Sequence, residues 1–261
     1  MRAVHAEWTK LRTVPSSLWL ALAAVAFTVA LSALVAATVT AEHCPSPAAC
    51  PDDLPKVSLF GVRFGQVALV VLGVLAVTNE YATRMIETTL TANPHRWLVL
   101  ATKMAVVTVA ALASGVVAVA GSLLAGRSIL PGNGFTAANG YQLLSLADEP
   151  TRRAAFGSIL YQGLIALLSL GVGAIVRDTA GAITVVLSLL FMFPMLAMFV
   201  TDAKWHERLE KYAPMTAGLN IQATRELNQL AIGPWAGLGV LAAYAGSALV
   251  GGLLVFRFRD A

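Results

Sequence analysis

The chain has 261 residues, of which 57% are hydrophobic and 12% are charged, and its formal net charge is +4 at pH 7. A soluble domain carries about 25% charged residues, so this composition, with a mean hydropathy of +0.74, excludes an ordinary soluble protein. The basic residues lie mostly at the ends of hydrophobic blocks, which indicates membrane topology rather than nucleic-acid binding. We therefore expect one all-α integral membrane domain over residues 1–261.

An amphipathic helix is predicted over residues 3–13, ahead of the first hydrophobic block. Trp8 lies on its apolar face, and Lys10 and Arg12 supply the polar side, as is typical of a helix at the membrane surface. From these residues alone, a plain membrane anchor is as good an interpretation as a functional element.

Six stretches are apolar over about the 20 residues that a helix needs to cross a bilayer. They are residues 18–39, 57–77, 98–125, 154–175, 181–200 and 235–256. The first stretch is 22 residues long, whereas the apolar core of a signal peptide has about 7–15 residues. We interpret it as a retained anchor; the alternative is a signal peptide cleaved near Ala41.

The only two cysteines, Cys44 and Cys50, follow the first span in the sequence Cys-Pro-Ser-Pro-Ala-Ala-Cys. If this loop lies outside the cytoplasm, the two can form a disulfide. Two free thiols are the alternative. A metal site is not expected, because further His or Cys ligands do not complete one.

Polar residues concentrate between the second and third spans, where we predict a short amphipathic helix over residues 79–92. Glu80 and Arg84 are four residues apart, which favours an ion pair on one helix face, and Asn93-Pro94 ends the helix. This helix is either an interfacial anchor that joins two spans or a docking element for a cytoplasmic partner.

The remaining loops contain shorter expected elements. Residues 141–147 and 223–230 are expected to form short helical pieces, and the charged stretch 203–212 a longer one that Pro214 and Gly218 interrupt. We expect these segments on the outer side of the membrane.

The charge distribution favours both termini in the cytoplasm. In this orientation the inside segments carry nine basic and five acidic residues, a net charge of +4, and the outside segments carry nine of each. The numbers of basic residues tie, but the inside segments are shorter, so their density of positive charge is higher.

Two stretches resemble the permease subunits of bacterial ABC exporters of the type-two export family. Residues 7–13, Glu-Trp-Thr-Lys-Leu-Arg-Thr, are similar to the family's N-terminal elbow helix. The first cytoplasmic loop is similar in Glu80, Tyr81, Ile86, Thr89, Leu90, Pro94, Arg96 and Lys103. Six spans with both ends inside also agree, and the resemblance covers nearly the whole chain.

The resemblance implies a permease of the bacterial cytoplasmic membrane that works with a separate cytoplasmic ABC ATPase, which would bind ATP and Mg²⁺. It also implies a second permease copy, more readily an identical one. The helix at 79–92 would be the coupling helix, contacting the ATPase through Glu80, Tyr81, Arg84, Glu87 and Arg96. The elbow, with Trp8, Lys10 and Arg12, would lie at the membrane surface beside it.

The same resemblance implies that the second and fifth spans line the translocation path. Candidate path residues are Phe64, Gln66, Met192, Phe193 and Met195. Methionine adapts to varied apolar surfaces, which suits a drug, lipid, peptide or natural product as cargo. Ordinary helix packing and lipid contact are the alternative explanation of these residues.

Motifs that are absent from the sequence narrow the function further. The phosphate-binding pattern Gly-x-x-x-x-Gly-Lys-Ser/Thr does not occur, so this chain is not expected to hydrolyse ATP or to bind a cofactor. An ion-coupled secondary carrier is the main alternative, although acidic residues near the centres of the spans are missing. A membrane-embedded enzyme or a passive scaffold is less well supported, because His-Glu-x-x-His and Gly-x-Ser-x-Gly do not occur either.

Overall fold

The computed structural model describes residues 15–44, 46–47, 50, 52–83, 85, 96–142 and 144–258. The expected elbow helix at 3–13 lies outside these residues, as do 84 and 86–92 of the expected helix at 79–92. Every regular element in the described part of the chain is helical, which confirms an all-α fold there. The cytoplasmic location of both termini stays a prediction.

Nine α-helices form the described structure. They are α1 (Pro15–Thr38), α2 (Leu54–Ser58), α3 (Val62–Ala82), α4 (Arg96–Ile129), α5 (Glu149–Val176), α6 (Thr179–Ala197), α7 (Ala203–Tyr212), α8 (Pro214–Leu219) and α9 (Pro234–Phe258). Within the described residues, six of these helices, namely α1, α3, α4, α5, α6 and α9, are long and apolar enough to cross a membrane. The six-span prediction is confirmed at that level.

The six helices alternate in direction, so the bundle has two ends. We call the end where α1, α4 and α6 begin the amino-terminal face, and the end where α3, α5 and α9 begin the loop face. The link from α5 to α6 at the amino-terminal face is only Arg177 and Asp178. The links at the loop face are longer and contain α2, α7 and α8.

α5 lies at the centre of the bundle and packs against α3, α4, α6 and α9. The most apolar stretch of α5 is 67% buried and that of α3 is 61% buried, against 22% for both α1 and α6. A helix that is buried on all sides belongs to the interior, and one with a free apolar face meets lipid or another chain. α1 and α6 are therefore outer helices.

Aspartate side chains begin three of the helices, as expected for residues that satisfy free N–H groups at a helix start. Asp178 Oδ2 accepts a hydrogen bond from the Gly181 N–H at 2.7 Å. Asp202 Oδ1 accepts from the N–H groups of Lys204 and Trp205 at 2.9 and 3.0 Å. Asp53 caps α2 in the same manner.

The second span begins and ends five residues later than predicted, at Val62 and Ala82 rather than 57 and 77. The reason lies at Gly61, which precedes α3 and packs so closely on α1 that a Cβ atom would overlap the Thr28 carbonyl oxygen. The Gly61 N–H also donates to Ser32 Oγ at 3.0 Å. This contact separates α2 from α3, so Val57 and Ser58 belong to α2 instead of the span.

The loop between the fifth and sixth spans differs from its prediction in part. The helix at 203–212 is confirmed as α7, but Pro214 begins a new helix, α8, rather than ending structure. α8 is buried against α9 and α5, so this segment folds back into the bundle.

Two expected short helices in the loops are wrong. The described residues of 141–147 are not helical, and of 223–230 only Leu227–Gln229 forms a single 3₁₀ turn. Helix-forming residues in these short segments are outweighed by tertiary contacts that hold the chain extended, such as those of Thr224 and Arg225 with Asp53.

Candidate functional site

A buried ion pair joins α3 to α4 at the amino-terminal face. Lys103 Nζ lies 2.7 Å from Glu80 Oε1, and the two side chains are only 2% and 8% exposed. Lys103 Nζ also donates a hydrogen bond to the Ala76 carbonyl oxygen at 3.1 Å. Because burying a lone charge is costly, this close pairing is the condition under which both groups can lie inside the bundle.

Arg177 connects the short turn between α5 and α6 to two further helices. Its guanidinium lies over the Tyr81 ring at 5.1 Å from the centroid, and its Nη2 donates to the Val255 carbonyl oxygen of α9 at 3.2 Å. The residue adopts a left-handed backbone conformation, with φ of 63°, that ends α5. A planar cation of this kind both stacks on aromatic rings and donates hydrogen bonds.

A third contact joins α3 to α6. The Thr179 hydroxyl donates to Thr78 Oγ1 at 2.8 Å, and the Thr78 hydroxyl donates to the Val74 carbonyl oxygen at 3.1 Å. Thr179 is the first residue of α6, directly after Asp178 that caps it. The last turn of α3 is thus bonded to α4, to the α5–α6 turn and to α6.

We call this set the inner cluster, and it consists of Thr78, Glu80, Tyr81, Lys103, Arg177 and Thr179. Its members come from separate parts of the sequence and meet where α3 ends. The chain then enters the segment between the second and third spans. Through these contacts the end of α3 is linked to α4, to α6, to α9 and to the turn between α5 and α6.

Only some of the expected ATPase-contact residues lie in the described part of the structure. Glu80 and Tyr81 belong to the inner cluster, and Arg84 and Glu87 lie outside the described residues. Arg96 is the first residue of α4, and its side chain lies outside the described part of the structure. The expected start of a separate helix at residue 79 is wrong, because α3 continues to Ala82.

Glu80 does not lie on an exposed docking surface as the sequence suggested. It is 7% exposed, since the ammonium group of Lys103 draws its carboxylate toward the bundle. A contact of Glu80 with a partner would therefore be indirect.

Sequence reasoning missed the cluster roles of Thr78, Arg177 and Thr179. The signal in the sequence that points to Arg177 is the short polar turn Arg177-Asp178 between two apolar spans. The hydroxyl contact between Thr78 and Thr179 joins residues 101 positions apart, so no local pattern could reveal it. The elbow residues Trp8, Lys10 and Arg12 lie outside the described residues.

The expected path residues lie in two different environments. Phe64, Met192 and Met195 are 43%, 50% and 60% exposed, and Phe193 is half-buried. They are thus accessible along the outer side of α3 and α6.

The expectation that Gln66 lines the translocation path is corrected, because Gln66 is fully buried inside the bundle. Its Nε2 donates to the Arg63 carbonyl oxygen at 2.7 Å and lies 3.1 Å from Met215 Sδ, and its Oε1 accepts from the Tyr161 hydroxyl at 2.5 Å. A buried amide with its groups engaged fixes the packing of α3, α5 and α8. It is not free to line an open path.

The loop face carries a second polar assembly, which is built around a disulfide between Cys44 and Cys50. Arg225 donates from Nη1 to the Cys50 carbonyl oxygen at 2.8 Å and from Nη2 to the Pro47 carbonyl oxygen at 2.7 Å. The Asp53 carboxylate accepts from the Thr224 hydroxyl at 2.6 Å. These bonds fasten the first loop to the segment that follows α8.

The cysteines do not offer thiolates to a metal ion in this structure. Cys44, Cys50 and Asp52 have potential ligand atoms within 4.8 Å of one another. However, the two sulfur atoms are bonded to each other, and thiolate is the form of cysteine that binds a metal.

The sequence matches none of the family models to which it was compared, and a search of curated proteins finds no significant match.

Proposed function

We propose that the chain is the permease subunit of an ATP-driven ABC exporter, forming half of a translocation pathway and coupled to a separate cytoplasmic ATPase. The observation that carries the proposal is the inner cluster. It ties the end of α3, which leads into the segment at 84–95, to α4, α6, α9 and the α5–α6 turn. An energy source that acts on this segment would move several spans together.

The sequence lacks a phosphate-binding loop, which supports the proposal that another polypeptide supplies the energy for transport. A carrier that is driven by ATP but has no nucleotide site of its own requires a second polypeptide to hydrolyse the ATP. The segment at 84–95 is the longest link at the amino-terminal face, and it is therefore the natural place for that partner to dock.

A second permease copy is part of the proposal, because α5 fills the centre of the described bundle. A path along α6 then needs an opposing wall, which an identical subunit supplies. Met192 and Met195 on the exposed side of α6 would face a hydrophobic or amphipathic cargo. Gln66 is left out of this path.

The disulfide supports an orientation with the loop face outside the cytoplasm, since disulfides persist in oxidising compartments. The amino-terminal face, both termini and the ATPase would then be cytoplasmic, and the protein would be a multi-pass protein of a bacterial inner membrane. The elbow residues Trp8, Lys10 and Arg12 would lie at the cytoplasmic surface.

Co-purification with the ABC ATPase encoded beside the gene tests the proposal. We expect a complex that survives detergent and size-exclusion chromatography and that contains two copies of each subunit. Charge reversal in the segment at 84–95, Arg84→Glu with Glu87→Arg, should weaken the complex, whereas Arg127→Glu on the loop face should not. A permease that binds no ATPase, or one whose binding is unaffected by the segment variants, would argue against the assignment.

An ion-coupled carrier is the second candidate, and the buried Glu80–Lys103 pair is the observation that favours it. Ionisable residues within membrane spans often serve ion-coupled transport. Uptake or efflux driven by a proton gradient in proteoliposomes that contain this chain alone would establish that candidate and overturn ours.

A further inference from the structure

Arg63 is a cation at the loop-face end of a candidate membrane span, and it has no acidic partner within 4.0 Å among the described residues. It is the second residue of α3, and its guanidinium lies over the Phe60 ring at 5.6 Å from the centroid. No carboxylate in the described ranges lies within 4.0 Å of it. A half-buried cation at the end of a membrane span is stabilised by water, by a dipole or by an anion.

Two adjoining cavities, which we call the outer pocket, share Arg63, Glu210 and Thr216 as walls. The first cavity has a volume of about 140 Å³, and its lining combines the apolar residues Phe60 and Leu219 with the polar residues Lys56, Asn220 and Gln222. Two cations and one carboxylate therefore line this part of the pocket.

The second cavity is mainly apolar. Its volume is about 240 Å³, and its lining includes Phe193, Pro194, Met198 and Leu209. Met198 is 84% exposed, and Met192, Met195 and Leu196 on the neighbouring surface of α6 are 46–60% exposed. The outer pocket thus runs from a cationic end at the membrane boundary to an apolar surface that continues along a spanning helix.

We propose that the outer pocket binds an amphiphile that carries an anionic headgroup. The headgroup would accept hydrogen bonds from the Arg63 guanidinium, with Lys56 adding positive charge, and the hydrocarbon chain would lie against Phe193 and Met198. Arginine matches phosphate and carboxylate oxygens with paired donors. This inference does not depend on the ATPase, because binding is a property of the permease alone.

Glu210 gives the proposal a directional test. Its carboxylate lines both cavities and would repel an anionic headgroup. The side chain is 47% exposed and lies 3.5 Å from His206 Nε2, so replacing it breaks only a surface contact. Removing Glu210 should therefore strengthen binding, and removing Arg63 should weaken it.

Native mass spectrometry of the delipidated, full-length permease measures this directly. The probes are phosphatidylglycerol and phosphatidylcholine with identical acyl chains, and the variants are Arg63→Gln, Glu210→Gln and the exposed-arginine control Arg127→Gln. We expect the wild type to prefer phosphatidylglycerol. Arg63→Gln should lower that affinity about tenfold, as for the loss of one charged hydrogen bond, Glu210→Gln should raise it, and Arg127→Gln should leave it unchanged.

Equal binding of the two lipids, or equal losses in Arg63→Gln and Arg127→Gln, would overturn the proposal. If Arg63→Gln does not fold, the sign of the Glu210→Gln change decides, and no change there would also overturn it. Mass analysis of the amphiphiles that co-purify from native membranes then identifies whether the bound molecule is a membrane lipid or a cargo. Phospholipid alone indicates a lipid site, and another anionic amphiphile that phosphatidylglycerol displaces indicates cargo.

Discussion

Glu80 and Lys103 lie where water is scarce, so each charge is stabilised by the opposite charge beside it. A glutamate after an apolar block could be recognised from the sequence, and it was expected at this face of the membrane. Its burial could not be predicted, because that depends on a lysine 23 residues further along the chain, which only the packing of α3 on α4 brings close. The same holds for Gln66, whose partners Tyr161 and Met215 are far away in sequence.

Replacing one member of this pair should destabilise the protein strongly. We expect Lys103→Met to lower the free energy of unfolding by about 3–5 kcal/mol, because the Glu80 carboxylate loses the ammonium group beside it. Thermal unfolding in detergent measures the change.

The double variant Glu80→Met with Lys103→Met is the matched control. It should recover most of the lost stability, since two apolar side chains of similar size replace the pair. A double variant that is no more stable than Lys103→Met would show that the ion pair does not account for the effect.

At the level of elements, the apolar blocks predicted six spans, and the described part of the chain has six helices that are long and apolar enough to cross a membrane. Their limits were less predictable, because close contacts set them. The break between α2 and α3 is due to the approach of Gly61 to α1. α8 was missed because proline and glycine ordinarily interrupt helices, whereas here Pro214 occupies the first turn, where its missing N–H is not needed.

Glycine 237 provides a test of how tightly α8 packs on α9. A Cβ atom at Gly237 would overlap the Ala217 carbonyl oxygen of α8, whereas one at Gly239 would meet no atom within 4 Å. We expect Gly237→Ala to destabilise the protein by about 1–3 kcal/mol, the usual cost of overpacking. Thermal unfolding in the same detergent measures it.

Gly239→Ala, two residues along the same helix, is the comparison. It should be neutral or slightly stabilising, because alanine favours helix over glycine. Similar unfolding temperatures for the two variants would contradict the close approach of α8.

For the molecule as a whole, alternation of six helices places the two polar assemblies on opposite faces. The inner cluster and the disulfide assembly should therefore lie on opposite sides of the membrane. The composition was enough to predict the membrane class, but it was not enough to predict which loops meet. Asp53 and Arg225, for example, join segments more than 170 residues apart.

Labelling of cysteines that are introduced one at a time tests this arrangement. We expect a membrane-impermeant maleimide, applied to intact cells, to modify Gln229→Cys at the loop face and not Ala82→Cys at the amino-terminal face. Both positions should react after permeabilisation, since both are exposed in the structure.

The native cysteines serve as an internal control. The unsubstituted protein should resist the maleimide until a reductant opens the Cys44–Cys50 disulfide. Labelling of Ala82→Cys alone would invert the orientation, and labelling of the unreduced native protein would contradict the disulfide.

If the inner cluster couples a partner ATPase to the spans, as we propose, the ATP hydrolysis rate of the complex in nanodiscs depends on that cluster. We predict that the wild-type permease raises the rate of its ATPase. Arg177→Gln, which removes the contacts to Tyr81 and to α9, should abolish most of this increase while the complex stays assembled. Arg127→Gln should behave as wild type. An equal increase with Arg177→Gln, or no increase with the wild type, would show that the inner cluster does not couple the ATPase to the spans.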